Sequence, residues 1–395
     1  MHHSNQQPRQ QLSKGMEHLR SYVTVSEYPE NETRTAWEQS KSNGVDNLST
    51  PEPTPRPTTP QRPENPQNRR DPFQFGTRYL EDGDDIFSHN AWDHVEIDSQ
   101  YRSFIEEQTA FQRANQVSEF DKQRFNSRPE KWWDKFYSNN QANFFKDRKW
   151  LVQEFPVLGV ITRQNHGPAT ILEVGAGAGN TAFPLLAMNK NPQLRVHACD
   201  YSQSAIDVIR AQDAYKSQAV PVLQADVWDL ASDSPPSGLQ SGSVDLVLMI
   251  FIFSALAPCQ WPQAVRNIFS LLKPGGEVLF RDYGRGDLAQ VRFKKGRYLD
   301  ENFYVRGDGT RVYFFEESEL RQIWGHRSIP GSYPKSRRGN GNTTLEKPSL
   351  EIIDLATDRR MLVNRQRKLK MYRCWMQGRF RKSASGPTGD MAEGV

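Results

Sequence analysis

The sequence predicts a doubly wound α/β fold between residues 170 and 283. Three observations support this prediction. Strands alternate with helices along the segment, a glycine-rich turn follows the first strand, and one later run is almost entirely apolar. Such alternation is typical of a parallel sheet with helices on both faces. Ligands of these sheets bind beyond the carboxyl ends of the strands, so we expect the functional site there.

The first strand ends at Val174 and runs into a turn with glycines at 175, 177 and 179. Glycine lets the backbone bend sharply and approach a ligand closely. The spacing is G-x-G-x-G, which differs from the G-x-G-x-x-G of dinucleotide sites, and no Lys-Ser or Lys-Thr follows as in a P-loop. Glu173 would repel a pyrophosphate and suits a cationic ligand such as S-adenosylmethionine. The turn alone is weak support, because many tight turns bind nothing.

Two further predicted strands each end in an aspartate. Leu194–Asp200 places a carboxylate where it can accept hydrogen bonds from both ribose hydroxyls of a nucleoside. The alternative for Asp200 is a cap of the helix expected from Ala205. Val220–Asp226 places a second carboxylate where it suits a clamp on an adenine amino group, and a solvated loop acid is the alternative there.

The apolar run Val244–Leu256 predicts a central strand buried on both faces, and it is too short to span a bilayer. A helix from about Trp261 and a Pro-Gly turn lead into a fifth strand that ends near Gly284. Lys370–Arg379 alternates like the final strand of the sheet, which would place Arg373 and Arg379 near a surface.

Composition indicates one domain of about 220 residues plus extensions in a chain of 395 residues. Three scattered cysteines argue against disulfides and zinc and for a reducing compartment. We expect a cytoplasmic protein because no signal peptide or membrane span is visible. The lack of acids before Glu17 leaves a mitochondrial presequence open, and a nuclear pool is open as well.

The chain divides into four parts. Residues 1–72 are rich in Gln, Ser and Pro and are expected to be disordered, as are residues 383–395. Residues 166–382 form the α/β domain, with a mobile insertion at 328–348. Residues 73–165 are polar but studded with aromatic side chains, and we expect a mostly helical lid over the cofactor that also contacts nucleic acid. The alternative is that these aromatics simply pack on the sheet.

Basic residues are unevenly placed. Residues 359–382 contain ten Lys/Arg and no acid, and a second basic cluster follows the fifth strand. Aromatic residues interleave with both clusters, which favours RNA as the partner, because cations neutralise phosphates and aromatic rings stack on bases. The residues expected to bind RNA are Lys146, Arg285, Lys294, Lys295, Arg365, Arg367, Lys368 and Lys370.

Several long motifs resemble the eukaryotic tRNA cytidine N3-methyltransferases, a family of class I S-adenosylmethionine-dependent methyltransferases. The matching segments are Trp133–Tyr137, Asn143–Arg148, Glu154–Phe155, Ile250–Ser254, Phe280–Gly284 and Asn302–Thr310. Three more segments resemble the branch that acts on threonine, and in animals arginine, tRNAs: Phe75–Leu80, His89–Asp93 and Asp358–Arg365. The resemblance covers residues 73–382.

The resemblance implies a Rossmann-like seven-stranded sheet and the formation of 3-methylcytidine at position 32 of the anticodon loop. Threonine tRNAs are the expected substrates, with arginine and serine tRNAs as further candidates. It leaves room for an auxiliary protein such as an aminoacyl-tRNA synthetase or an adaptor, and it implies neither membrane nor metal. The implied S-adenosylmethionine contacts are Trp133, Tyr137, Arg148, Glu173, Gly175, Gly177, Gly179, Asp200, Asp226, Val227 and Ile250.

The chemistry of the acceptor suggests where catalysis occurs. Cytosine N3 carries a lone pair, so it needs no strong base, but it lies on the Watson–Crick edge and the base must be turned into a pocket. Methylation leaves the ring positive, and a nearby carboxylate would stabilise that charge. Asp282 is the candidate, with Tyr283 or Phe251 positioning the base. A pair with Arg281 or a turn cap is the alternative for Asp282.

Two rival functions are weighed against this one. The first is a non-catalytic RNA-binding subunit, which the intact glycines and the aspartates Asp200 and Asp226 disfavour. The second is a methyltransferase for another RNA base or a protein. The N-P-P-[YFW]-type loop used for exocyclic amino groups is missing, and Ile250–Phe253 stands in its place, which favours a ring nitrogen.

Overall fold

The computed structural model describes residues 79–80, 82–218, 222–325 and 350–384. The predicted tail at 1–72, the predicted insertion at 328–348 and nearly all of 383–395 lie outside these residues.

One large sheet organises the described part of the chain. Its strands, in spatial order, are β1 (Ala91–Asp93), β10 (Glu351–Asn364), β11 (Leu369–Arg381), β6 (Leu272–Tyr283), β5 (Val244–Ile250), β2 (Ala169–Val174), β3 (Leu194–Asp200) and β4 (Leu223–Val227). Strands β6, β5, β2, β3 and β4 pair in parallel, while β6, β11, β10 and β1 pair antiparallel. The seven-stranded sheet is confirmed, and β1 adds an eighth strand at its edge.

A second sheet of three short strands lies between β6 and β10 in the sequence. Its strands are β7 (Tyr298–Asp300), β8 (Phe303–Val305) and β9 (Arg311–Tyr313). The connection from β8 to β9 is a tight turn in which Arg306 N–H donates to the carbonyl of Thr310 at 2.8 Å.

Helices precede the large sheet and connect its strands. They are α1 (Ser99–Ala114), α2 (Glu119–Ser127), α3 (Pro129–Asn140), α4 (Leu151–Glu154), α5 (Val157–Ile161), α6 (Ala182–Met188), α7 (Gln203–Ala211), α8 (Asp213–Lys216), α9 (Trp261–Leu271), α10 (Leu288–Val291) and α11 (Glu317–Trp324). Three 3-10 turns lie at Ile86–Ser88, Phe253–Ala255 and Pro258–Gln260. Within the described ranges, no helix has the length and apolar character needed to cross a membrane.

The central strands are apolar along their whole length because both of their faces are buried. In β5, Val247 and Met249 join a core that includes Trp324, while Leu248 and Ile250 join the opposite core beneath α4 and α5. This arrangement explains the nearly continuous apolar run that the sequence shows.

The predicted length of β5 was wrong. The strand ends at Ile250, six residues before the predicted end at Leu256, and a 3-10 turn occupies Phe253–Ala255. Phe251 leaves the strand with a φ of 60°. The turn that follows is as buried as the strand, so hydrophobicity alone does not mark the boundary.

Much of the basic run at 359–382 is neutralised inside the fold. Arg373 forms an ion pair with Asp287 at 2.9 Å, and Arg379 forms ion pairs with Glu277 at 2.9 Å and Asp354 at 3.2 Å. Both arginines are partly buried. The prediction that they lie near a surface is confirmed, and the structure adds that their charges have carboxylate partners.

Candidate active site at the carboxyl ends of the strands

The glycine turn after β2 has the backbone that its sequence predicts. Gly175, Gly177 and Gly179 have φ values of 66°, 58° and 83°, in the region that other residues rarely adopt. A Cβ atom on Gly175 would lie 2.6 Å from Cγ1 of Ile252, and one on Gly177 would collide with the hydroxyl of Tyr137. The glycines are therefore required by the neighbouring side chains as well as by the turn.

Asp200 ends β3 and holds the glycine turn in place. One of its carboxylate oxygens accepts the N–H of Gly177 and the other accepts the N–H of Ser202, both at 2.9 Å. Burial raises the pKa of Asp200 to about 6, and those two N–H groups oppose the shift. The cap of α7 is Ser202 rather than Asp200. A carboxylate has about four acceptor positions, so room remains for ribose hydroxyls.

Helix α3 is fastened to the start of α7. The Asp134 carboxylate accepts a hydrogen bond from the Ser202 hydroxyl at 2.8 Å and another from the Ser204 N–H at 3.1 Å. Phe136 and Tyr137 are buried against Ala178 of the glycine turn and against α7. Trp133 packs on the same cluster. The aromatic block thus packs beside the cofactor turn, and its movement as a lid stays a prediction.

We expect Ser202→Ala to lower the free energy of unfolding by about 1 kcal/mol, because the substitution removes the cap of α7 and one bond to Asp134. Urea denaturation measures this change. The adjacent Gln203→Ala is the control, because Gln203 is exposed and caps nothing, and its effect should stay within about 0.5 kcal/mol. Equal losses in the two variants would contradict the proposed contact.

Glu173 is a buried carboxylate that lacks an adequate partner. It is 1% exposed, and neither of its oxygens has a hydrogen bond of good geometry within the described residues. The Arg148 guanidinium lies 3.7 Å away and donates instead to the Thr181 hydroxyl at 2.8 Å. Burial raises the pKa of Glu173 to about 7, and Arg148 together with weaker contacts from the Thr181 hydroxyl and the Ala182 N–H opposes the shift.

A buried carboxylate with only weak partners, next to a glycine turn, fits a ligand that carries a positive charge. S-adenosylmethionine carries an ammonium and a sulfonium group, so the residues present fit it. In this arrangement Glu173 and Arg148 would hold the amino-acid end, and Asp200 would hold the ribose.

Asp226 is the second-last residue of β4, and its carboxylate already accepts three hydrogen bonds. It accepts hydrogen bonds from Arg210 at 2.9 Å, from His197 at 2.9 Å and from Gln224 at 2.7 Å. The solvated-loop alternative is therefore wrong. A contact of Asp226 with adenine stays a prediction, and so does a contact of Val227, which is 45% exposed beside it.

Beyond Ile250, two aromatic rings form a pair at the ends of β5 and β6. The ring centroids of Phe251 and Tyr283 are 5.1 Å apart. The Arg306 guanidinium lies 5.6 Å from the Tyr283 centroid. Phe251 has a positive φ, which is a strained conformation for a bulky residue and is often found at functional sites. We call this group the acceptor pocket.

Asp282 is fully buried and acts as a turn cap in this structure. Its carboxylate accepts the N–H of Ser254 at 2.9 Å and the N–H of Tyr283 at 2.8 Å. Arg281 pairs instead with Asp358 at 2.7 Å, so the alternative of an Arg281–Asp282 pair is wrong. Burial raises the pKa of Asp282 to about 6. The carboxylate thereby positions the strained turn that carries Phe251, and its electrostatic role in catalysis stays a prediction.

The predicted RNA-binding residues are dispersed over the structure. Arg365, Arg367, Lys368 and Lys370 lie in or beside the turn between β10 and β11, Lys146 is exposed in the loop after α3, and Lys294 and Lys295 are exposed before β7. Arg285 differs from these, because it is half-buried and forms ion pairs with Glu316 and Glu319 at 2.7 and 2.6 Å. Their contacts with RNA stay predictions.

Sequence reasoning missed two residues of this region. Asp134 ties α3 to α7, and Arg306 covers Tyr283. Both lie within segments that matched the family, but no local pattern marks their contacts. Within the described ranges, no cluster of three or more His, Cys, Asp or Glu side chains is arranged to hold a metal ion.

Comparison with known proteins places the chain in a family. Residues 172–278 match the family model described as "Methyltransferase domain". A Saccharomyces cerevisiae protein named "tRNA(Thr) (cytosine(32)-N(3))-methyltransferase" is 48% identical over 78% of this chain and 46% of its own length. A Schizosaccharomyces pombe "tRNA N(3)-methylcytidine methyltransferase trm140" is 42% identical over 78% of this chain and 92% of its own.

A third relative, Drosophila melanogaster "tRNA N(3)-methylcytidine methyltransferase Mettl2", is 39% identical over 81% of this chain and 91% of its own length. These matches confirm the family that the motifs predicted, and they give no support to the rival functions. The chain is an S-adenosylmethionine-dependent methyltransferase and belongs to the tRNA N3-methylcytidine methyltransferase family.

Proposed function

We propose that this protein forms 3-methylcytidine at position 32 in the anticodon loop of threonine tRNAs. The name of the yeast relative states this position and this tRNA for that protein, and the chain spans about half of that protein's length. Arginine and serine tRNAs are the further candidate substrates.

The observation that carries the proposal is the placement of the acceptor pocket. Phe251 follows β5, the strand that pairs with β2, and Tyr283 ends β6 on the other side of β5. Ile252 packs directly on Gly175 of the glycine turn. A flat base that stacks against this pair of rings would meet the methyl donor held by the glycine turn. Single-stranded loops supply such a base at low cost, because their bases are unpaired.

The reaction requires no strong general base from the protein, because cytosine N3 carries a free lone pair. Bound S-adenosylmethionine supplies an electrophilic methyl group on a positively charged sulfur. The N3 lone pair of cytosine forms the new bond to carbon as the bond from sulfur to carbon breaks, and the positive charge passes to the ring. The side chains therefore act by holding the base in line and by excluding water.

A pair of substrates tests this proposal. We expect the purified chain to transfer labelled methyl groups to threonine tRNA transcripts and to leave transcripts with uridine at position 32 unmodified, because uracil N3 carries a proton and has no free lone pair. Equal labelling of both transcripts would contradict the assignment. Because only one protein is present, the same assay tests whether an auxiliary protein is required.

A further inference from the structure

A cavity of about 380 Å³ is lined in part by the turn that directly follows Arg306. Helices α2 and α3 form one wall and the turn from Gly307 to Gly309 forms the other. Its volume falls in the range of about 300–1,000 Å³ that is typical of small-ligand sites. The side chains that matter for its chemistry are Arg124, Phe125, Trp132, Lys135 and Asn139.

Aromatic and cationic groups meet in this cavity. The Arg124 guanidinium lies 5.3 Å from the Trp132 ring centroid and 5.8 Å from that of Phe125. Its carboxylate neighbour Asp121 is 3.7 Å away, and both side chains are exposed, so this ion pair is weak. Lys135 is exposed and has no carboxylate partner among the described residues. The cavity thus offers a π-surface, a stacked guanidinium and a free ammonium.

One acidic residue, Asp308, also lines the cavity, and the two cationic side chains of Arg124 and Lys135 outnumber it. The Asp308 carboxylate accepts hydrogen bonds from the Thr310 N–H at 2.9 Å and from the Thr310 hydroxyl at 2.7 Å. It is therefore engaged in closing the turn.

One short turn separates the cavity from the acceptor pocket. Arg306 begins the turn and covers Tyr283, whereas Gly309 in the same turn packs so tightly on Trp132 that a Cβ atom would collide with the indole. The turn is fixed by hydrogen bonds between Arg306 and Thr310 and between Gly309 and Arg306. A strand of RNA with one base in the acceptor pocket would therefore pass close to the cavity.

We propose that this cavity binds a second unpaired nucleotide of the same tRNA loop, with its base against Trp132 and Arg124 and its phosphate near Lys135. The proposal rests on the proposed function for the identity of the RNA. Stacking on aromatic rings and on guanidinium planes is how proteins hold single-stranded RNA bases.

The test combines changes in the RNA with a change in the protein. A set of threonine tRNAs is prepared, each with a single abasic nucleotide at a different loop position other than the target. Each tRNA is titrated with the wild-type protein and with the Arg124→Gln variant, with S-adenosylhomocysteine present, and the Kd is measured. We expect one abasic position to raise the wild-type Kd by roughly 5- to 100-fold. Arg124→Gln should bind unmodified tRNA more weakly and should lose most of that abasic penalty.

The control is Arg128→Gln, which removes an exposed arginine that lies between α2 and α3, pairs with Glu130 and does not line the cavity. It should keep the full abasic penalty. If Arg124→Gln keeps the penalty at every position, or if both variants lose it equally, the cavity does not bind a base. Methylation of unmodified tRNA is measured separately, so a wild type that binds RNA without forming 3-methylcytidine would refute the proposed function and leave the cavity assignment intact.

Discussion

Glu173→Gln should weaken S-adenosylmethionine binding by roughly 30- to 1,000-fold, because it removes a buried charge that we expect to face the cationic end of the ligand. The same change should not destabilise the free protein. The Glu173 carboxylate lacks hydrogen bonds of good geometry and burial raises its pKa to about 7, so a neutral amide of the same shape costs the fold little. Calorimetry gives the Kd, and thermal unfolding without ligand gives the stability.

The pH dependence gives an independent check of this charge. The pKa of Glu173 in the free protein is raised above that of an ordinary glutamate, so a growing fraction is protonated as the pH falls below about 7. Only the ionised form attracts a cation, and wild-type affinity should therefore fall towards tenfold per pH unit below that value. The Glu173→Gln variant should lack this part of the pH dependence.

Glu154→Gln is the matched control. Glu154 is also a buried glutamate whose pKa is raised to about 7 by burial, but the charge that most opposes this shift is that of Arg281 rather than Arg148. Removal of the Glu154 charge should leave the affinity for S-adenosylmethionine within a few-fold of that of the wild type. If Glu173→Gln binds S-adenosylmethionine as tightly as Glu154→Gln does, the carboxylate does not recognise the ligand.

Asp282→Asn should lower kcat by roughly 100-fold at neutral pH with little change in tRNA affinity. The asparagine keeps the size of the side chain but loses the charge, and one of its two polar atoms becomes a donor that faces a backbone N–H. The turn at Ser254 and the strained Phe251 would then be less well held. Single-turnover kinetics gives the rate, and filter binding gives the affinity.

The pKa of Asp282 is raised to about 6, so the wild-type rate should also fall as the pH drops through that value, and the variant should lack this step. Asp245→Asn is the control, since Asp245 lies near the opposite end of β5 and pairs with Lys273 at 2.7 Å. A full rate in Asp282→Asn with intact tRNA binding would refute both the electrostatic and the positioning role of Asp282.

The sequence predicts the parts of this fold that depend on local patterns. The glycine turn, the aspartate at the end of β3 and the buried strand β5 are each encoded within about ten residues, and the structure contains all three. The end of β5 escapes prediction because the buried turn after Ile250 is as apolar as the strand.

Contacts between distant segments are the part that patterns do not reveal. Arg281 on β6 forms a hydrogen bond with Asp358 on β10, 77 residues later in the chain. The two residues meet because β11 pairs with β6 and β10 pairs with β11 in the sheet. Arg306 reaches Tyr283 because the small sheet folds back over the acceptor pocket. The long basic run likewise conceals which charges are paired, since the partners Asp287 and Glu277 lie about a hundred residues earlier.

The central claim is that this protein methylates cytidine N3 in the anticodon loop of tRNA. Total tRNA from cells that lack the protein is incubated with the purified chain and labelled S-adenosylmethionine, then digested and analysed by nucleoside mass spectrometry. We expect the label in 3-methylcytidine, with nuclease fragments that place it at position 32 of threonine tRNAs. Label confined to another nucleoside, or no label in a preparation that binds S-adenosylmethionine, would contradict the account.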